Sequence, residues 1–119
     1  MDATLLEHYK NTDYWFVVNG QKMTLSVGST NSDFNTLCHD LNCKTGAFIT
    51  AYNPQSRQLT FDENCERNQQ LEAELVGFKG IRYFYGAGQD RSLQWPAEES
   101  FMVFGAQQQT VIDLARRYQ

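Results

Sequence analysis

The pair Asn19-Gly20, set between Tyr14 to Val18 and Gln21 to Val27, constrains this chain more than any other feature. Both residues tolerate positive φ, as a two-residue type I′ turn demands, and such a turn dictates which residues face one another across the hairpin. Counting outward pairs Val18 with Gln21, Phe16 with Met23 and Tyr14 with Leu25. Tyr14, Phe16 and Val18 then share one sheet face with Met23, Leu25 and Val27, while Trp15 and Val17 share the other with Lys22, Thr24 and Ser26. Register and hydrophobic pattern agree.

Ahead of the hairpin, Leu5, Leu6 and Tyr9 recur at helical spacing behind Asp2, predicting a short helix over Ala3 to Lys10 whose narrow apolar stripe packs on a sheet. Behind it, Phe34, Leu37, Cys38 and Leu41 fall at i, i+3, i+4 and i+7 after Ser29, Thr30, Asn31 and Ser32, any of which caps a helix; this one is expected to end near Asn42 to Gly46. Ala47 to Tyr52 is a nearly continuous apolar run, as expected of a central strand covered on both sides, and Asn53-Pro54 stops it. Thr60 followed by Glu63 is a capping-box pattern, and helical periodicity persists to Phe78 before Gly80. The stripe of that helix is Leu71, Leu75 and Phe78; carried backward it lands on Asn68 and Asn64, so the inward face turns from apolar to amide. Strands are expected at Gly80 to Tyr85 and Ser100 to Phe104, separated by a long segment from Gly86 to Glu99, and Val111, Leu114, Ala115 and Tyr118 mark a closing helix. The order α-β-β-α-β-α-β-β-α implies an α+β fold: a mixed, mainly antiparallel sheet of about five strands with packed helices.

With 119 residues and no repeat or linker-like tract, residues 1–119 read as a single domain. No apolar run reaches the roughly 20 residues of a membrane helix, and Asp2, Glu7 and His8 break any basic-then-apolar leader, so neither a membrane association nor a signal peptide is expected. The net charge of −4, with scattered Lys and Arg, argues against general nucleic-acid binding. Three cysteines, an odd number, fit a reducing compartment, and the cytoplasm is the expected location. Cys38, His39 and Cys43 do not make a zinc set, because Cys38 lies on the apolar stripe while His39 points about 100° away, and no paired Cys-x-x-Cys knuckles occur; no metal is expected. Gly86-Ala87-Gly88 lacks the third glycine and the following helix of a dinucleotide fingerprint, and no Gly-Lys-Ser/Thr element exists, so no cofactor is expected either.

Two regions carry candidate chemistry. In the first, Asn53-Pro54-Gln55-Ser56-Arg57 leaves the carboxyl end of a buried strand and leads into a helix whose first N–H groups are free, the setting of a crevice that favours anions. Asn64, Arg67, Asn68 and Leu71 fall on one side of that helix, so two amides and a guanidinium face the same way. These amides either contact a ligand or brace strand-end backbone, since buried polar backbone must be paired. In the second region, Trp95 offers a planar stacking surface, and Glu98 or Glu99 an acid or base; the two glutamates face opposite ways on an extended chain and form no ready dyad. The alternative for this region is a solvated acidic run beside a core tryptophan.

Leu5-Leu6 with Tyr9, Thr12-x-Tyr14, the block Phe48-Ile49-Thr50-Ala51-Tyr52-Asn53-Pro54-x-Ser56-Arg57, then Asn64, Arg67-Asn68, Leu71 and Trp95-Pro96-x-Glu98-x-Ser100-Phe101 together resemble the DUF3293 family of uncharacterised bacterial proteins. The strand-to-loop block is the specific part. The resemblance implies a small soluble domain of bacterial or phage origin and supplies no activity. Members tend to run on past the final helix, whereas this chain stops at Gln119, which leaves open a truncated form or a shortened, phage-borne one.

The expected site is therefore an amide-rich, cation-bearing pocket made by Asn53, Ser56, Arg57, Asn64, Arg67, Asn68, Trp95 and Glu98 and suited to an anionic or nucleotide-like small molecule. The alternative is a protein-interaction or inhibitor module that anchors a partner through exposed aromatics such as Trp15 or Tyr85. A third reading is an enzyme with Glu98 as general base and Arg57 or Arg67 stabilising developing negative charge.

Overall fold

The computed structural model describes residues 12–26, 32–43, 46–54, 57–92 and 96–118. Among them the elements are β1 (Thr12–Val18), β2 (Gln21–Ser26), α1 (Ser32–Asp40), β3 (Gly46–Ile49), α2 (Phe61–Gly77), β4 (Arg82–Asp90), β5 (Glu98–Phe104) and α3 (Gln108–Tyr118). The fold is α+β, with one five-stranded sheet in the order β2-β1-β4-β5-β3. The helix expected over Ala3 to Lys10 lies outside the described residues.

Asn19 (φ 50°) and Gly20 (φ 77°) make the left-handed turn, and β1 pairs with β2 in the register that turn demands: Val18 with Gln21, Phe16 with Met23, Tyr14 with Leu25. All neighbouring strands run antiparallel. The two helical crossovers, β2-α1-β3 and β3-α2-β4, do join strands of like direction, yet these never become neighbours. β5, returning from β4, takes the slot between β4 and β3. The parallel component expected of a mixed sheet is thereby lost.

That insertion also corrects the position of the central strand. β3 is a four-residue edge strand and ends at Ile49, whereas β5 lies inside the sheet, with Phe101, Met102, Val103 and Phe104 all at most 4% exposed. Phe101 and Val103 join Ile49, Ala51, Leu71, Leu75, Leu114 and Tyr118 in a core beneath α2 and α3. Met102 and Phe104 join Phe16 and Cys38 in a second core beneath α1, where Phe34 packs on Phe104 with ring centroids 5.9 Å apart. Alternating residues of one strand thus feed both cores, as the two-residue period of a doubly covered strand requires.

The segment from Gly86 to Asp90, expected as loop, continues β4 instead. Gly86 pairs with Phe16 on one side and Ser100 on the other. A Cβ built there would lie 2.0 Å from the Trp15 carbonyl oxygen and 2.9 Å from the Phe16 Cα. The glycine serves close strand approach, not a turn. Phe78 corrects a smaller point: α2 stops at Gly77, and Phe78 caps it in extended conformation at 39% exposure instead of extending the buried stripe.

Candidate functional site

The amino end of α2 is built by its own sequence. The Glu63 N–H donates to the Thr60 hydroxyl (3.1 Å) and the Thr60 N–H donates to the Glu63 carboxylate (3.2 Å), closing the capping box. The Thr60 backbone N–H, with its hydroxyl and the nearby Arg57 guanidinium, holds the Glu63 carboxyl below the usual carboxylate range. The box sets the phase of the helix, so that Asn64, Asn68, Leu71 and Leu75 are its buried residues.

Beyond Ile49 the chain leaves the ladder but stays buried, with Ala51 and Tyr52 in the interior, and its polar backbone needs new partners. Side chains of α2 supply most of them. The Ala51 N–H donates to Asn68 Oδ1 (2.9 Å), the Ala51 carbonyl accepts from Arg67 Nε (2.8 Å), and the Asn53 N–H donates to Asn64 Oδ1 (2.9 Å). Thr50 supplies another: its hydroxyl accepts from the Tyr52 N–H (3.0 Å) and donates to the Glu99 carbonyl (2.7 Å). Asn68 Nδ2 reaches that same carbonyl (2.8 Å), tying α2 to β5.

Asn53, in left-handed conformation at φ 42°, ties the loop together. Its Oδ1 accepts from the Leu59 N–H and from Asn64 Nδ2, both at 2.9 Å, and its Nδ2 donates to Glu98 Oε1 at 3.0 Å. The structure therefore brings Asn53, Asn64, Arg67, Asn68 and Glu98 together, in contacts that are made to backbone and to one another. Arg67 further donates to the Tyr118 carbonyl at the end of α3, with its guanidinium over the Tyr118 ring, and Glu74 accepts from Tyr118 Oη and Arg117. Among the described residues no buried side-chain nitrogen or oxygen is left without a partner. Ser56 and Trp95 lie outside the described residues.

Along this rim Arg57, whose backbone N–H donates to the Pro54 carbonyl (3.0 Å), is exposed, and Glu98 is half-buried. Asp62, Glu63, Glu66 and Glu99 are also exposed along it. The sheet is antiparallel, so the crevice argument made for parallel strands does not apply here. Two residues of the rim stand outside the expected site: Tyr52, whose hydroxyl is pushed up to about 12 by burial and then by the charge of Glu99, and Cys65, which shares a hydrogen bond with it. Tyr52 belongs to the strand-to-loop block at the end of the apolar run, while the only sequence sign of Cys65 is its position beside Asn64.

A second surface lies on the α2/α3 side of the sheet but over β2, β1 and β4. Strand alternation puts Lys22, Trp15, Val17 and Tyr85 there, and extending the β1-β4 register by one residue sets Val17 beside Tyr85. Val17 is 40% exposed and Tyr85 63%. The Lys22 ammonium sits over the Trp15 ring, 4.9 Å from its centroid. Next to it an open depression of about 440 Å³ is lined by Asp13, Trp15, Lys22, Thr24 and Arg91, none of them from the Asn53 rim. Tyr85 is exposed but not loose. Its hydroxyl and that of Tyr83 both donate to Glu72 Oε2, and its ring lies 6.1 Å from Tyr83 and 5.9 Å from Phe101. Burial and the Glu72 bond push Tyr83 up to about 12, and the Glu72 bond first, then burial, raises Tyr85.

Among the described residues no three His, Cys, Asp or Glu side chains gather as a metal site would need, and no helix is long and apolar enough to cross a membrane. A family model described as a protein of unknown function, DUF3293, matches residues 49–119. The chain belongs to the DUF3293 family. The match takes in the Asn53 rim, α2, β4, β5 and α3; the Leu5, Leu6, Tyr9, Thr12 and Tyr14 part of the resemblance lies before it. No curated protein and no solved structure matches the chain.

Proposed function

We propose that this DUF3293 domain is a binding module that holds a protein partner against the sheet face carrying Trp15, Val17 and Tyr85. The observation that carries this reading is Tyr85: an aromatic ring 63% exposed, yet held by Glu72 through its hydroxyl and by Tyr83 and Phe101 through its ring. An exposed side chain already ordered in the free protein loses little entropy on binding, and immobile aromatics are common interface anchors. Val17 beside it and Lys22 over Trp15 supply an apolar centre with a cationic rim.

A second reading keeps the loop of Asn53, Ser56 and Arg57, with Asn64, Arg67, Asn68, Trp95 and Glu98, as a site for an anionic or nucleotide-like small molecule. The exposed guanidinium of Arg57 favours it. The engagement of the Asn53, Asn64 and Asn68 amide nitrogens within the protein and the carboxylates of Asp62, Glu63 and Glu99 weigh against it, because an anion there meets donors already committed and like charge.

One experiment separates them. Wild type, Val17→Asp/Tyr85→Asp and Arg57→Ala serve as bait in host lysate, and each is melted with and without nucleotides. The partner reading expects a protein retained by wild type and Arg57→Ala and lost by the sheet-face variant. Retention indifferent to that variant, together with a nucleotide-induced rise in melting temperature absent from Arg57→Ala, overturns it in favour of the small molecule.

A further inference from the structure

We propose that Cys38 and Cys43 form an oxidisable dithiol pair that closes an intramolecular disulfide across the carboxyl end of α1. The helix ends in a Schellman motif: the Cys43 N–H donates to the Cys38 carbonyl (2.8 Å), the Asn42 N–H donates to the His39 carbonyl (3.0 Å), and Asn42 adopts φ 54°. In that motif the side chains of the residues joined by the longer bond frequently pack together. Here both are cysteines, and the Cys43 thiol, which donates to the Leu41 carbonyl (3.4 Å), swings from that bond to reach Cys38. The 2.8 Å bond from the Cys43 N–H to the Cys38 carbonyl folds the chain back so that the two residues face one another across the helix end, and closure requires their Cα atoms to fall in the disulfide range of about 4.4–6.8 Å. Both side chains belong to the core beneath α1, with Cys38 buried and Cys43 partly exposed. Burial and then the charge of the neighbouring Cys43 raise the Cys38 thiol.

The exposure difference orders the chemistry. With hydrogen peroxide as oxidant, the Cys43 thiolate attacks the O–O bond, giving a sulfenic acid and water. The Cys38 sulfur then attacks the Cys43 sulfur, forming the S–S bond and expelling the sulfenic oxygen as a second water; two electrons and both thiol protons end on the peroxide oxygens. Cys65, on α2, has no cysteine partner in this step.

The test uses the folded full chain treated with peroxide, blocked with iodoacetamide and digested with trypsin. The peptide Met23 to Lys44 carries both cysteines and no internal cleavage site. The expected result is that peptide lighter by two hydrogens, free of label, and returned to two labelled thiols by dithiothreitol. In Cys38→Ser, Cys43 is expected to stop at a dimedone-trappable sulfenic acid, and in Cys43→Ser, Cys38 is expected to resist peroxide. Label on both cysteines of the oxidised wild type, or an over-oxidised Cys43 beside a free Cys38 thiol, overturns the proposal.

Discussion

The Asn53 rim and the Tyr85 face both carry hydrogen-bonding side chains from α2, yet they are organised in opposite ways. At the rim, the side chains of Asn64, Arg67 and Asn68 are turned inward and spent on the backbone of residues 51 and 53. At the face, Glu72 holds Tyr85 from below and leaves its ring outward. The comparison teaches that a cluster of hydrogen-bonding residues on one helix side is not in itself a binding site. Whether the partners are the protein's own buried N–H and C=O groups decides the matter.

The sharpest way to break this contrast is Asn68→Ala. It strips the buried Ala51 N–H of its acceptor, while the Glu99 carbonyl keeps the Thr50 hydroxyl, so unfolding free energy should fall by about 1–3 kcal/mol, the cost of one buried orphan. Urea denaturation measures it, and a loss under about 0.5 kcal/mol, the usual surface range, would mark Asn68 as free for a ligand.

A second test uses pH and touches both regions. Tyr52 at the rim and Tyr83 beneath Tyr85 are each pushed up to about 12 in the folded chain. Unfolded tyrosine titrates near about 10, so the folded state holds these protons more tightly; the stability they contribute is complete below about pH 10 and is lost as pH rises through about 12. The melting temperature is expected to fall across that interval while absorbance at 295 nm reports delayed tyrosinate formation. Tyr83→Phe should flatten part of the fall, and an unchanged profile would remove the Glu72 cluster from the account.

Smaller still is Thr60→Ala, which opens the capping box at the edge of the rim and is expected to cost about 1 kcal/mol. Tyr85→Phe should be the least of these in stability, within about 0.5 kcal/mol for a solvent-facing group, while weakening partner retention by freeing the ring from Glu72. A split between stability and partner retention is the outcome the proposed function expects of the face and not of the rim.

Much of this architecture was legible in residue order. The first hairpin needed only Asn19-Gly20 and its flanking alternation, and the start of α2 needed only Thr60 and Glu63, because in each case a local hydrogen-bond or φ requirement has few chemical solutions. The rim was half legible: spacing placed Asn64 and Asn68 on the inward side of α2, but bracing and ligand contact remained equal in kind until the acceptors were known. β4 was misread after Tyr85 because glycine marks both turns and close strand approach, and only the presence of β1 against Gly86 separates the two. The apolar run from Ala47 signalled burial correctly at Ile49, Ala51 and Tyr52 but could not say whether strands or side chains would satisfy its backbone.

By itself, then, the order of amino acids determined the elements that depend on short-range chemistry: the turn, the capping box, the amphipathic stripes and the family to which residues 49–119 belong. The tertiary structure alone decided that β5 would enter between β3 and β4, and everything that follows from it. With that slot filled, β3 became an edge, the backbone beyond it had to be satisfied by the amides of α2, and the outer half of the sheet kept Val17 and Tyr85 facing water. Strand order is settled by how apolar area is shared across the whole sheet, a sum over contacts far apart in sequence, and no local pattern encodes that sum.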